Sequence, residues 1–133
     1  MGAVSVTVAS TGAAAVVALR GDLAAAAVVQ IEPYLAPLLS QRHPILVVDL
    51  AQVPSCDETG LLLLDVTARV ATGGAGELRL AAPQPGVCRA LRQAGIMRMI
   101  ATFSSVTGAL DGDALDLLAT PHSPTRAART SPD

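Results

Sequence analysis

The feature that most constrains the fold is a run of six residues, Ile-Leu-Val-Val-Asp-Leu, at positions 45–50. Neighbouring side chains of an extended strand point to opposite faces, so this run is apolar on both faces. Such a strand is stable only where other elements cover both faces of its sheet, which is typical of parallel sheets flanked by helices. The sequence therefore predicts a central parallel strand at 45–50.

Strand and helix patterns alternate on both sides of this run. The predicted elements are strands at 4–9 and 13–19 joined as a hairpin around Gly12, a helix at 23–40, the strand at 45–50, a helix at 59–72, a strand at 77–81, a helix from Pro85, a strand at 97–102 and a last helix over 106–117. This order predicts an α/β fold with a mixed, mostly parallel sheet of four to five strands and about four helices. Residues 1–118 form one predicted domain, and residues 119–133 lose all periodicity and are predicted to be a disordered tail.

Several element boundaries carry local signals. Pro33 and Pro37 remove backbone donors within the first predicted helix, which predicts a kink or a late start. Gly95 is predicted to end the helix that begins at Pro85 by adopting the left-handed conformation. Ser104 or Ser105 is predicted to cap the last helix.

Composition excludes several classes of function. The chain has 133 residues with nine basic and eleven acidic side chains, and its net charge of −2 argues against binding to nucleic acid or an anionic membrane. No apolar run reaches the roughly 20 residues that span a bilayer, and no basic residue precedes Arg20, so neither a membrane helix nor a secretory signal is expected. A cytoplasmic location follows as the expectation. The two cysteines and two histidines are not at metal-ligand spacing, so neither a metal nor a cofactor is expected.

An acidic segment precedes the helix predicted at 59–72. Asp57 is a predicted N-cap, and Glu58 is placed where the positive end of the helix dipole stabilises it. Thr59 follows in the first turn, with its hydroxyl expected to face solvent. Gly60 costs about 1 kcal/mol against Ala inside a helix, so its predicted role is to leave room for another protein to approach. The two carboxylates are expected to raise the pKa of the Cys56 thiol.

The same helix is rich in apolar side chains. Its predicted buried stripe contains Leu61, Leu64 and Ala68, widened by Leu62, Val66 and Val70. Leu61 is also a candidate anchor for a protein interface.

This segment and several other short motifs occur in a familiar order. They are Gly21-Asp22-Leu23, Val48-Asp49-Leu50 and Asp57-Glu58-Thr59-Gly60-Leu61, followed by Pro83, Val87, Leu91, Gly95-Ile96 and Ala109-Leu110. Over residues 4–118 the chain resembles the STAS domains, small modules typified by bacterial anti-sigma factor antagonists. In that family the segment corresponding to 57–61 opens a helix whose Ser or Thr is phosphorylated by an anti-sigma factor with serine kinase activity.

The resemblance implies a switch at Thr59. It makes Thr59 the phosphorylated residue and places the partner-binding surface at Gly21, Asp57, Glu58, Gly60 and Leu61. The unphosphorylated form then binds the anti-sigma factor and frees the sigma factor, and a PP2C-type phosphatase restores it. A protein of this kind regulates transcription without being an enzyme, and a monomer or weak dimer is expected.

Two positions depart from the family pattern and keep a second function open. Glu58 stands where the family usually has a small residue, and Ala24 stands where an acidic one is frequent. Both departures suit the alternative, a non-phosphorylated STAS subunit of an ATPase complex that transports lipids or anions.

The acidic residues also admit readings that do not depend on the resemblance. Asp57 and Glu58 are common helix-start residues, and Asp49 at a strand end commonly bonds neighbouring backbone. Together the three carboxylates could form a catalytic pair or a magnesium site in a small hydrolase. Neither a phosphate-cradling glycine loop nor a nucleophile–base pair accompanies them, which ranks this reading last.

Overall fold

The computed structural model describes residues 4–40, 45–74 and 76–119. Its elements, in chain order, are β1 (Ser5–Thr11), β2 (Ala14–Arg20), α1 (Ala25–Ser40), β3 (Ile45–Gln52), α2 (Glu58–Gly73), β4 (Glu77–Ala81), α3 (Pro85–Gln93), β5 (Ala101–Phe103), α4 (Val106–Asp111) and β6 (Leu117–Ala119), with 3₁₀ helices at Ile96–Arg98 and Ala114–Asp116. The predicted disordered tail, apart from Ala119, lies outside the described residues.

The strands form one six-stranded sheet in the order β1-β2-β3-β4-β5-β6. Strands β2 to β5 are parallel, and the edge strands β1 and β6 each pair antiparallel with their neighbours. The mixed, mostly parallel sheet and the four α-helices are as predicted, although the sheet has six strands where four to five were expected.

Helices cover the sheet on both faces. Alternate residues of β3, including Leu46 and Leu50, join α1, α2 and α3 in the main core. Val47, on the opposite face, belongs to a smaller core with Phe103 and with Ala109 of α4. Leu50 and Val47 are both fully buried, which confirms that β3 is apolar on both faces because both faces are covered.

Helix α1 begins at Ala25, two residues after the predicted start, and continues through both of its prolines. Pro33 and Pro37 are exposed, so they lie on the side of α1 away from the sheet. Carbonyls that lose a proline N–H partner there can bind water instead, which makes an internal proline tolerable. The buried side of α1 is formed by Ile31 and Leu35.

The last third of the domain differs from the prediction. The strand predicted at 97–102 is a 3₁₀ helix at Ile96–Arg98 followed by a short β5. The helix predicted over 106–117 ends at Asp111, because Gly112 takes the left-handed conformation with φ 64°. The chain then makes a second 3₁₀ turn and returns along the sheet as β6, a strand that the sequence patterns do not reveal. The predicted cap at Ser105 is confirmed, since its Oγ accepts from the Gly108 amide at 2.9 Å.

One carboxylate connects this terminal segment to the start of α4. Asp116 accepts a hydrogen bond from the Ser104 hydroxyl. It also accepts from Ser105 through its hydroxyl at 2.6 Å and its amide at 3.0 Å. The Ser104 amide in turn donates to the Asp116 carbonyl at 2.9 Å. These bonds bring residues 113–117 back beside β5, which positions β6.

We expect this contribution of Asp116 to depend on pH. Hydrogen bonds from Ser104 and then Ser105 hold the pKa of Asp116 below its ordinary value of 3.8. Folding therefore favours the carboxylate, and this stabilisation is present above about pH 4 and lost as the pH falls through the lowered pKa. Asp116→Ala should lower the urea midpoint at pH 7, and the difference from wild type should shrink at pH 3. An equal difference at both pH values would contradict the role of charge.

Candidate functional site

The candidate site is the N-terminus of α2, where the chain segments that follow β2 and β3 lie side by side. The Leu23 amide donates to the Ser55 carbonyl at 2.9 Å, and the Asp57 amide donates to the Leu23 carbonyl at 3.1 Å. Gly21, at the end of β2, donates to the Gln52 carbonyl at 3.0 Å. This short backbone ladder places the segment of Gly21 beside the start of α2.

A side-chain contact reinforces the same junction. The Ser55 hydroxyl donates to an Asp22 carboxylate oxygen at 2.8 Å. Both residues are exposed. The Asp22 carboxylate is thereby held on the same surface as the two acidic residues that begin α2.

The predicted N-cap is confirmed. Asp57 has extended backbone angles, φ −93° and ψ −173°, and its side chain accepts from the Gly60 amide at 3.0 Å. Glu58 is the first residue of α2 and is exposed. A negative charge at this position is stabilised by the helix dipole.

Thr59 is the second residue of α2 and is partly exposed. It directly follows the exposed Asp57 and Glu58 at the start of α2, and the exposed Asp22 is bonded to Ser55, four residues before it. An added phosphoryl group would bring about −1.5 to −2 charges to a surface that is already negative.

Gly60 serves a different purpose from the one predicted. It is buried, and a Cβ built on it would lie 2.4 Å from the Leu23 carbonyl oxygen and 2.9 Å from the Cys56 Sγ. The space beside this glycine is therefore filled from within the molecule and is not room for an approaching partner. A glycine here allows the N-terminus of α2 to pack directly against the backbone at Leu23.

The Cys56 thiol is not a candidate nucleophile or metal ligand. Burial, followed by the charge of Asp57, raises its pKa to about 12, so the thiol is protonated at neutral pH. The expected effect is confirmed for Asp57 but not for Glu58, and burial is the larger cause.

The exposed leucine of this helix is Leu62. Leu61 is half-buried and packs against the main core, whereas Leu62 is 59% exposed. Val66 and Val70 are 47% and 50% exposed, so these two also lie outside the buried stripe that they were expected to widen. Together the three residues form a row at i, i+4 and i+8, which we call the α2 strip. The four-residue spacing was the available signal for it.

Asp49, the third carboxylate of the predicted acidic group, is bonded to the backbone of its own strand. Asp49 is half-buried within β3, three residues before its end, and accepts a hydrogen bond from the Ala51 amide at 3.0 Å, so its carboxylate has a structural partner. Across residues 4–40, 45–74 and 76–119 no group of three His, Cys, Asp or Glu side chains is placed to hold a metal ion. Among the described helices, none combines the length and apolar character that crossing a membrane requires.

Comparison with models of known protein families identifies the family of this chain. Residues 5–109 match the model of the STAS domain, which is most of the described structure. The chain belongs to the STAS domain family. Among curated proteins, none matches this sequence significantly.

Several solved structures share the fold. An anti-sigma factor antagonist from Mycobacterium paratuberculosis is 20% identical with a TM-score of 0.77, and the match covers 83% of this chain and 93% of that one. SpoIIAA in its unphosphorylated form, also an anti-sigma factor antagonist, is 21% identical with a TM-score of 0.70, covering 81% and 95%. The phosphorylated form of SpoIIAA from Bacillus is 20% identical with a TM-score of 0.64, covering 81% and 98%. At these identities the likeness establishes the fold.

Proposed function

We propose that this protein is an anti-sigma factor antagonist that is switched at Thr59. In this proposal it binds an anti-sigma factor with serine/threonine kinase activity, frees the sigma factor and thereby controls transcription. Phosphorylation of Thr59 by that partner ends the interaction, and a PP2C-type phosphatase reverses the modification. The protein itself catalyses nothing.

The observation that carries the proposal is the placement of Thr59. It is a partly exposed hydroxyl residue in the first turn of α2, within a STAS fold, beside the exposed Asp57 and Glu58. A kinase can reach a side chain in this position without unfolding the helix. The fold shared with structures named as anti-sigma factor antagonists supports the same conclusion.

Electrostatics supply the switch. The positive end of a helix would attract a phosphoryl group on its own, but Asp57 already caps α2 and Glu58 adds a second charge there. A phosphoryl group on Thr59 therefore enlarges an acidic cluster. If the partner presents a carboxylate about 4 Å away, repulsion at an effective dielectric constant of 20 is roughly 4 kcal/mol. That energy corresponds to about a thousandfold in affinity, with no refolding of either protein.

Two residues favour the second candidate, a non-phosphorylated STAS subunit of a transport ATPase complex. Glu58 is exposed and directly precedes Thr59, so a permanent negative charge stands where modification would introduce one. Ala24, which precedes α1, offers no carboxylate to a bound kinase or its nucleotide. Constitutive copurification with an ATPase subunit would support this candidate.

Phosphorylation at Thr59 can be tested by intact-mass measurement. We expect one phosphate on the wild-type chain after incubation with its anti-sigma factor kinase and ATP, and none on Thr59→Ala. Thr107→Ala is a matched control, because Thr107 is likewise the second residue of a helix, precedes a buried glycine and is even more exposed than Thr59. It should be phosphorylated like wild type. If Thr59→Ala still gained a phosphate, another residue would be the phosphorylated one, which would contradict the assignment of Thr59.

A further inference from the structure

The α2 strip of Leu62, Val66 and Val70 begins one turn beyond Thr59 and is the longest row of exposed large aliphatic side chains (Val, Leu, Ile or Met) on one described helix. The rise of 1.5 Å per residue places Val70 about 16 Å from Thr59 along the helix axis. The row faces away from the main core, in which Leu63 and Leu64 of the same helix are buried. Exposing three large apolar residues in line costs solubility, and such a patch commonly marks an interface.

The strip borders a concave feature. Val66 and Val70 line a shallow groove of about 310 Å³ between α2 and α1, whose other wall includes Leu35, Ala36 and Glu32. The lining is mainly apolar, with the Glu32 carboxylate on the α1 side. A groove of this size accepts one or two large apolar side chains, and its charged border favours a cationic group beside them.

We infer that the α2 strip and its groove are the docking surface for the anti-sigma factor, which presents an apolar ridge with a cationic side chain facing Glu32. This inference rests on the proposed function. The α2 strip is continuous with the surface around Thr59, because Leu62 is on the next turn of the same helix face. A protein that covers Thr59 closely therefore also lies over Leu62. The contact with Thr59 then provides the switch, while the strip provides affinity.

Charge argues against a second copy of this chain as the occupant. A two-fold contact through the strip would place two surfaces bordered by Glu32 and Glu58 against each other. Arg69, the cationic residue of α2, is already paired with Asp65 at 3.0 Å. Like charges at the rim of an interface oppose association, whereas a partner with the opposite charge is favoured.

The switch at Thr59 and the affinity supplied by the α2 strip can be tested separately. Val70 lies far enough from Thr59 that changes at the two positions should act independently, since effects more than 7–10 Å apart are usually additive. Apolar contacts also respond little to salt, whereas repulsion between exposed charges is screened. Loss of the strip should therefore weaken binding at low and high salt alike, in both the Thr59 and Thr59→Glu backgrounds.

The experiment measures Kd by calorimetry against each purified anti-sigma factor encoded in the genome of origin. Leu62→Ser and Val70→Ser should each weaken binding about tenfold, as expected when a large apolar side chain is removed from an interface. Leu115→Ser is the matched control, because Leu115 is 96% exposed in the 3₁₀ helix that follows α4, on the other face of the sheet. It should bind within about twofold of wild type. Circular dichroism verifies that all variants are folded.

The outcomes separate this inference from the proposed function. If no anti-sigma factor binds wild type in a manner sensitive to Thr59→Glu, the proposed function fails and the inference fails with it. If such binding occurs and the strip variants match wild type, only the inference is overturned. A third outcome would also overturn the inference. In it, sedimentation shows that the wild type is a dimer and that Leu62→Ser is a monomer, while the Kd for the anti-sigma factor is unchanged. The α2 strip would then be the contact with a second copy of this chain.

Discussion

Thr59→Glu is expected to weaken binding to the anti-sigma factor by a hundredfold or more, whereas Thr59→Ala should weaken it less than tenfold. The glutamate adds a charge in the first turn of α2, where Asp57 and Glu58 are already negative. A single charge about 4 Å from a partner carboxylate contributes up to roughly 4 kcal/mol of repulsion at an effective dielectric constant of 20. The alanine removes one hydroxyl from a partly exposed position, which costs at most about one hydrogen bond.

Salt distinguishes this electrostatic effect from a steric one. The Debye length falls from about 10 Å at 0.1 M to about 3 Å at 1 M ionic strength. The ratio of the Kd of Thr59→Glu to the Kd of Thr59→Ala should therefore shrink at high salt. Thr107→Glu, at the corresponding exposed position of α4, controls for a general effect of added charge and should bind like wild type. Equal binding by Thr59→Glu and Thr59→Ala at low salt would remove the electrostatic switch.

Gly60→Ala is expected to lower the free energy of unfolding by about 2 kcal/mol. The new Cβ would lie 2.4 Å from the Leu23 carbonyl oxygen, a backbone atom that already accepts from the Asp57 amide. Either α2 or the Leu23 segment must shift, and overpacking of this kind typically costs about 1–3 kcal/mol and occasionally more. The gain of up to about 1 kcal/mol in helix propensity offsets only part of this cost.

The same helix offers a matched control for Gly60→Ala. Gly73 ends α2, and a Cβ added there meets nothing within 4 Å. Gly73→Ala should leave stability unchanged or raise it by up to about 1 kcal/mol, because only helix propensity changes. Urea denaturation followed by circular dichroism measures both variants. Coincident transitions for the two would show that the close approach at Leu23 has no energetic consequence.

The predictable parts of the fold depend on chemistry between near neighbours in sequence. The turn at Gly12 between β1 and β2, the N-cap at Asp57, the proline at the start of α3 and the left-handed Gly95 each depend on residues close together in sequence. The central strand β3 was predictable for a related reason, because its own side chains are apolar on both faces. The position of Thr59 in the first turn of α2 then follows directly from the cap at Asp57.

The last third of the chain was less predictable because distant residues decide it. The pattern of Val106, Leu110 and Leu117 suits a longer helix than the one that forms. Instead, Asp116 accepts hydrogen bonds from Ser104 and Ser105, and the intervening chain turns back to the sheet. Helical periodicity contains no information about that contact.

The sequence by itself therefore determined the α/β class, the family resemblance and the hydroxyl at the start of α2. Only the tertiary structure decided that Gly60 contacts the Leu23 backbone and that Leu62, Val66 and Val70 remain exposed. The physical reason is that periodicity specifies which side chains share a face of a helix. Whether that face is covered depends on where α1 and the loops lie, and their positions follow from the packing of the whole domain.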